Sequence, residues 1–148
     1  MKVNKFLVVT MILILAISLV GCQSDDKLEH SDVQGYAEPM SENILIAFSN
    51  GDYEGFIKDC SDTMLGQLTQ EVFETQILPI TDVIGKYQEG SKEFVTAKQV
   101  DKNFIQVVYN GEFSDEEGNV IVTITFNTDE DNRKIEGFVL NSPKLQKM

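Results

Sequence analysis

The stretch VIVTITF, Val120 to Phe126, decides the fold. It alternates cleanly: Val120, Val122, Ile124 and Phe126 fall on one face, and Ile121, Thr123 and Thr125 on the other, the period of two that a pleated strand imposes. Both faces are free of charge, and the first is wholly apolar. Working outward, the same period governs Phe94 to Val100, and Phe104 to Phe113 is rich in β-branched and aromatic residues. Ile135 to Leu140 supplies a last strand, and SDEEGN (Ser114–Asn119) and NTDEDN (Asn127–Asn132) have the composition of hairpin loops. The second half of the chain therefore predicts four long antiparallel strands.

Upstream the period changes. Val33, Ala37, Met40, Ile44, Ala47 and Phe48 recur at three- and four-residue intervals, so Val33 to Asn50 predicts an amphipathic helix that Pro39 starts or kinks. Asn50-Gly51-Asp52 stops it, and Asp52 caps a short helix over Tyr53 to Cys60. Ser61-Asp62 opens a turn through Met64, Leu65 and Leu68. Thr69 caps a third helix whose stripe is Phe73, Ile77, Ile80 and Ile84, with Pro79 bending it and Gly85 ending it. Helices followed by strands give an α+β class: three N-terminal helices packed on a curved four-stranded antiparallel sheet. No internal repeat or low-complexity tract interrupts it.

The N-terminus has another character. Lys2 and Lys5 precede an apolar run from Phe6 to Val20 that is relieved only by Thr10 and Ser18. That is a basic segment followed by an apolar one, short of the roughly 20 residues a spanning helix needs. Leu19-Val20-Gly21-Cys22 resembles the lipobox of bacterial lipoproteins. The resemblance implies that signal peptidase recognises Leu19, Val20 and Gly21, that residues 1–21 are removed as a signal peptide, and that Cys22 carries a diacylglyceryl anchor. Two acyl chains hold a protein stably where one is marginal. The implied address is the cell membrane, lipid-anchored on its extracytoplasmic face. Residues 22–34 then read as the lipidated cysteine and a flexible tether, since QSDDKLEHSD (Gln23–Asp32) is polar with one leucine. As a coil of about ten residues it would span on the order of 20 Å. The domain occupies residues 35–146.

Charge excludes several functions. Of 24 acids and 12 bases, only Lys2 and Lys5 fall in the signal segment, so ten bases face 24 acids in the mature chain, a formal charge of −14. No basic cluster is present to neutralise phosphates, which argues against nucleic acid. An anionic bilayer would repel such a domain, leaving Cys22 as its route to the membrane. With Cys22 occupied by lipid, Cys60 has no partner for a disulfide and reads as a small buried hydrophobe. His30 is the only histidine, and a Cys60–His30 dyad would require the tether to dock.

AEPMSENIL (Ala37–Leu45), NGDYEGFIKDCSDTM (Asn50–Met64), IGKY (Ile84–Tyr87), VVYNGEF (Val107–Phe113) and IEGFVLNSPKL (Ile135–Leu145) resemble, in order and spacing, a family of small secreted or lipid-anchored bacterial and archaeal domains of unknown function. That family shares the cone-shaped fold of nuclear transport factor 2. The resemblance implies a cone, a small apolar ligand inside it or a homodimer through the sheet, and it includes enzymes that use a carboxylate and a hydrogen-bond donor. Donors here would be Tyr36, Tyr53, Tyr87 or Tyr109, and the base Asp59 or Asp82. A family aromatic pair after the glycine of the last strand is replaced by Phe138 and Val139. Gly137 lets that strand bend.

No side chain set specifies catalysis. Asn127, Asp129 and Asp131 alternate like the start of a calcium loop, but Asn132 stands where glycine is needed and Phe138 where glutamate is. No phosphate loop, nucleophile elbow or Cys-x-x-Cys motif occurs, so neither a metal nor a cofactor is implied. The expectation is a lipid-anchored binding or interaction module. The alternatives are a small enzyme or hydrolase accessory and an envelope spacer without ligand.

Overall fold

The computed structural model describes residues 26–148. Leu19, Val20, Gly21 and Cys22 lie outside the described residues. The class is α+β, with a sheet of five antiparallel strands rather than four, in the spatial order of the chain: β1 (Asp26–Leu28), β2 (Glu93–Gln99), β3 (Phe104–Gly111), β4 (Val120–Asn127) and β5 (Ile135–Asn141). The fifth strand is β1, inside the stretch expected to be tether. It pairs Asp26 with Gln99, Lys27 with Lys98 and Leu28 with Ala97. Leu28, the single apolar residue of that stretch, packs against the core and explains the pairing.

Helix α1 (His30–Asn50) starts three residues before the expected Val33. Glu29 caps it, and its backbone N–H donates to Asp32 Oδ2 at 2.8 Å, so the charges that suggested a tether form a reciprocal cap. Pro39 lies within the helix and leaves the Gly35 carbonyl, four residues back, without its helical donor. Gly51 closes α1 at φ 67°, its N–H turned back to the last carbonyls. Asp52, Ser61 and Thr69 cap α2 (Tyr53–Ile57), α3 (Asp62–Leu65) and α4 (Gln70–Val72) with side-chain oxygens.

The third expected helix is not one helix. A π turn, Phe73–Ile77, and a 3₁₀ turn, Leu78–Ile80, separate α4 from α5 (Thr81–Ile84). Pro79 is the cause: it cannot donate to Thr75, and its ring forces the preceding turn to widen, so the Leu78 N–H reaches five residues back to Phe73.

Helices α1, α2 and α5 join the core on one sheet face, through residues such as Phe48, Phe56 and Ile84. Val107, Tyr109, Val122, Ile124 and Phe126 from that face are 0% exposed and form one cluster with Val33, Ala37, Ile44, Leu45 and Phe48 of α1. Burying each such large side chain contributes roughly 1.5–3 kcal/mol.

Candidate functional site

The densest polar constellation lies where α1 meets the start of β2. Glu38 and Glu42 are one turn apart and share a helix face. Between them sits Lys92, whose side chain is only 8% exposed: its Nζ lies 2.5 Å from Glu38 Oε2 and 3.2 Å from Glu42 Oε2. The same ammonium stands 5.4 Å over the Tyr109 ring. Tyr87 Oη donates to Glu42 Oε2 (3.0 Å), the Gly90 N–H donates to Glu42 Oε1 (2.7 Å), and His30 Nε2 meets Glu38 Oε1 at 2.9 Å while stacking on Phe94. Two carboxylates, one ammonium and a tyrosine thus tie the loop before β2 to α1.

Electrostatics follow from the geometry. Burial pushes Glu38 up, but the hydrogen bonds from Lys92 and His30 outweigh it and hold the carboxyl below its ordinary range. Burial, with Glu42 accepting its proton, drives the Tyr87 phenol up to about 12. Burial also raises Tyr109, with Ser41 and Glu38 close enough to alter its titration. Yet the Tyr109, Ser41 and Tyr36 hydroxyls meet no partner at hydrogen-bond geometry. Tyr36 instead packs edge-on against Phe126, under the Arg133 guanidinium.

The expected catalytic residues are not assembled. Asp59 accepts from Asn43 Nδ2 at 3.5 Å, and Asp82 is exposed on a cleft of about 370 Å³ with Glu74 and Lys86. Tyr53 Oη donates to the Leu68 carbonyl at 2.8 Å. The carboxylate that does meet a tyrosine is Glu42, which sequence reasoning missed. The four-residue spacing of Glu38 and Glu42 on an amphipathic helix was a usable signal, but nothing local pointed to Lys92. Cys60 and His30 are apart: Cys60 bridges Ile135 of β5, whereas His30 sits beside β2 near the opposite edge of the sheet. The Cys60 Sγ donates to Phe56 O, and burial raises its pKa to about 11, so it is a thiol rather than a nucleophile. Its cleft, about 380 Å³, is polar and lined by Lys58, Ser61, Lys134 and Glu136.

The NTDEDN loop uses its oxygens internally. Asp129 Oδ1 accepts from the Asp131 and Asn132 N–H groups, and Asn127 Oδ1 accepts from Lys134. Among the described residues no three His, Cys, Asp or Glu side chains converge as metal ligands, and no helix is long and apolar enough to cross a membrane.

The opposite sheet face is the second candidate. Register places Val108, Thr123 and Val139 in one cross-strand row, Gln106, Thr125 and Gly137 in another, and Asn110, Ile121 and Asn141 in a third. None of the nine is charged. Val139 is 58% exposed, Val95 49% and Ile121 43%.

Residues 41–138 match the family model described as protein of unknown function (DUF3887). The chain belongs to that family. The DUF3887 match begins within α1 and ends within β5, so it includes Glu42, Tyr87, Lys92, Tyr109 and the three uncharged rows as far as Gly137, and leaves Glu38 outside. No curated protein and no solved structure matched the chain.

Proposed function

We propose that the protein is a lipid-anchored extracytoplasmic module, held by Cys22 on the outer face of the cytoplasmic membrane, that pairs with a second copy through the open face of its sheet. The finer fold that suits it is the nuclear transport factor 2-like cone, with helices gathered on one sheet face. One observation carries the reading: a chain with 24 acids and 12 bases keeps nine positions of one exposed face, on β3, β4 and β5, free of charge, the same rows meeting Glu93 and Lys98 only on β2. Copies this acidic repel one another everywhere else, so a contact between them belongs on that face.

The interior favours pairing over capture of a small apolar ligand. Phe48, Phe56, Phe73, Tyr109 and Phe126, each at most 1% exposed, occupy the space such a ligand would take. Catalysis is the second reading, favoured by the Glu42–Tyr87 hydrogen bond. Both partners are already engaged, Glu42 by Lys92 and the Gly90 N–H, and the Tyr87 hydroxyl by the Lys92 N–H at 3.2 Å. Burial holds the Tyr87 phenol at about 12, far from neutral pH.

Magnitude sets the regime. The three strands that carry the uncharged rows, of about seven residues each, present roughly 14 by 23 Å, or about 320 Å² per copy. A total near 650 Å² is below the roughly 1,200–2,000 Å² of a stable interface, so pairing depends on the membrane concentrating the copies.

Two measurements test this. Mass spectrometry of the native protein is expected to find cleavage before Cys22 and a diacylglyceryl thioether on its sulfur; an intact Met1 overturns the anchor. Full-length chains labelled at Gln67→Cys with donor or acceptor dyes and reconstituted in vesicles are expected to show energy transfer that Ile121→Glu with Val139→Glu abolishes. Transfer that survives both charges, or is absent from the parent, overturns the pairing.

A further inference from the structure

Strand β1 begins four residues after Cys22, which fixes how far the domain can stand from its anchor. Four residues reach at most about 14 Å when fully extended, and a headgroup layer takes roughly 5–8 Å of that. The remaining clearance is far smaller than the domain, whose diameter is on the order of 35 Å from its length. The attachment point, not the domain's centre, therefore sets which end meets the lipid.

That end is defined by register. Asp26 lies opposite Gln99 at the C-terminal end of β2, and Asp26, Gln99, Asp101 and Lys102 line one cleft. The β4–β5 turn joins the same end: Thr128 N–H donates to Asn103 O and Thr128 Oγ1 to Lys102 O, each at 3.0 Å. The β3–β4 loop occupies the other end, beyond eight residues of β3, or about 26 Å. It carries Asp115, Glu116 and Glu117, as many acids as the Asp129, Glu130 and Asp131 of the β4–β5 turn, so the attachment point rather than charge chooses the end.

Resting on the anchored module proposed above, we infer that the β2–β3 and β4–β5 turns face the lipid headgroups. The strands then stand away from the membrane and the uncharged sheet face looks sideways. Two copies related by an axis along the membrane normal meet on that face with both lipids in one leaflet.

The chain contains no tryptophan, so a single introduced one is a clean reporter. Full-length lipidated Asn103→Trp and Glu117→Trp proteins are reconstituted in phosphatidylcholine vesicles with a minority of headgroup-nitroxide lipid. Quenching several-fold stronger at position 103 than at 117 is expected, with the difference collapsing when a Gly/Ser segment is inserted after Ser24. Equal quenching, stronger quenching at 117, or indifference to the insertion overturns the inference. Flotation separates the two failures: protein that does not float with the vesicles sinks the anchor, whereas protein that floats with equal quenching sinks only the orientation.

Discussion

Tyr109 is wholly buried, yet its hydroxyl meets no partner at hydrogen-bond geometry. An unsatisfied buried hydroxyl costs about 1–3 kcal/mol. Tyr109→Phe is therefore expected to leave stability unchanged or raise it, measured by urea unfolding; a loss above about 1 kcal/mol would mean the hydroxyl is paired. Tyr87→Phe differs, because it removes a donor from the part-buried Glu42 and takes an acceptor from the Lys92 N–H, and a loss of about 1 kcal/mol is expected. Glu38 supplies a pH signature. Its folded pKa lies below the ordinary value, so its contribution is complete above about pH 4.3, the unfolded value, and is lost as pH falls through the folded one. Glu38→Gln is expected to flatten that acid limb of stability, and an unchanged limb would contradict the ion pair. At this scale the sequence was legible where chemistry was local: Asp52 and Thr69 cap the elements they precede, and Ser61, read as opening a turn, caps a short helix there. Lys92 was not, because its partners lie about 50 residues upstream and a helical spacing names only half of the cluster.

At the scale of elements, alternation placed β2 to β5 and their loops, since a half-buried strand writes its two faces into the sequence. Strand β1 left almost no such mark. Three residues with one leucine cannot show a period, and charged Asp26 and Lys27 resemble linker composition. The prolines were visible, but their outcomes were not: Pro39 sits inside a continuous helix, whereas Pro79 splits its segment into π and 3₁₀ turns. Gly85 gives the sharpest test here. At φ 78° its Cβ would stand 2.1 Å from Ser114 Oγ and 2.6 Å from the Asp115 backbone N, where the turn after α5 packs against the β3–β4 loop. Gly85→Ala is expected to cost about 2–4 kcal/mol in thermal or urea unfolding, from strain and displacement together. A cost near that of an exposed glycine such as Gly90, which has open space around it, would contradict the close approach.

For the molecule as a whole, the two faces of Val120–Asn127 lead to different ends: one is buried at Val120, Val122, Ile124 and Phe126, and the other is open at Ile121, Thr123 and Thr125. Sequence showed that both faces lack charge. Only register showed that β3 and β5 extend the uncharged area across three rows, and only the filled interior turned the balance from ligand capture toward pairing. Cross-linking at the centre of that area tests the pairing most directly. Thr123→Cys chains in native membranes, treated with a bismaleimide spanning about 15 Å, longer than the roughly 10 Å between packed sheets, are expected to run as covalent dimers. Glu117→Cys chains should not. Failure of position 123 to cross-link, equal yields at both positions, or capture of a different protein in place of a second copy would contradict pairing through the sheet.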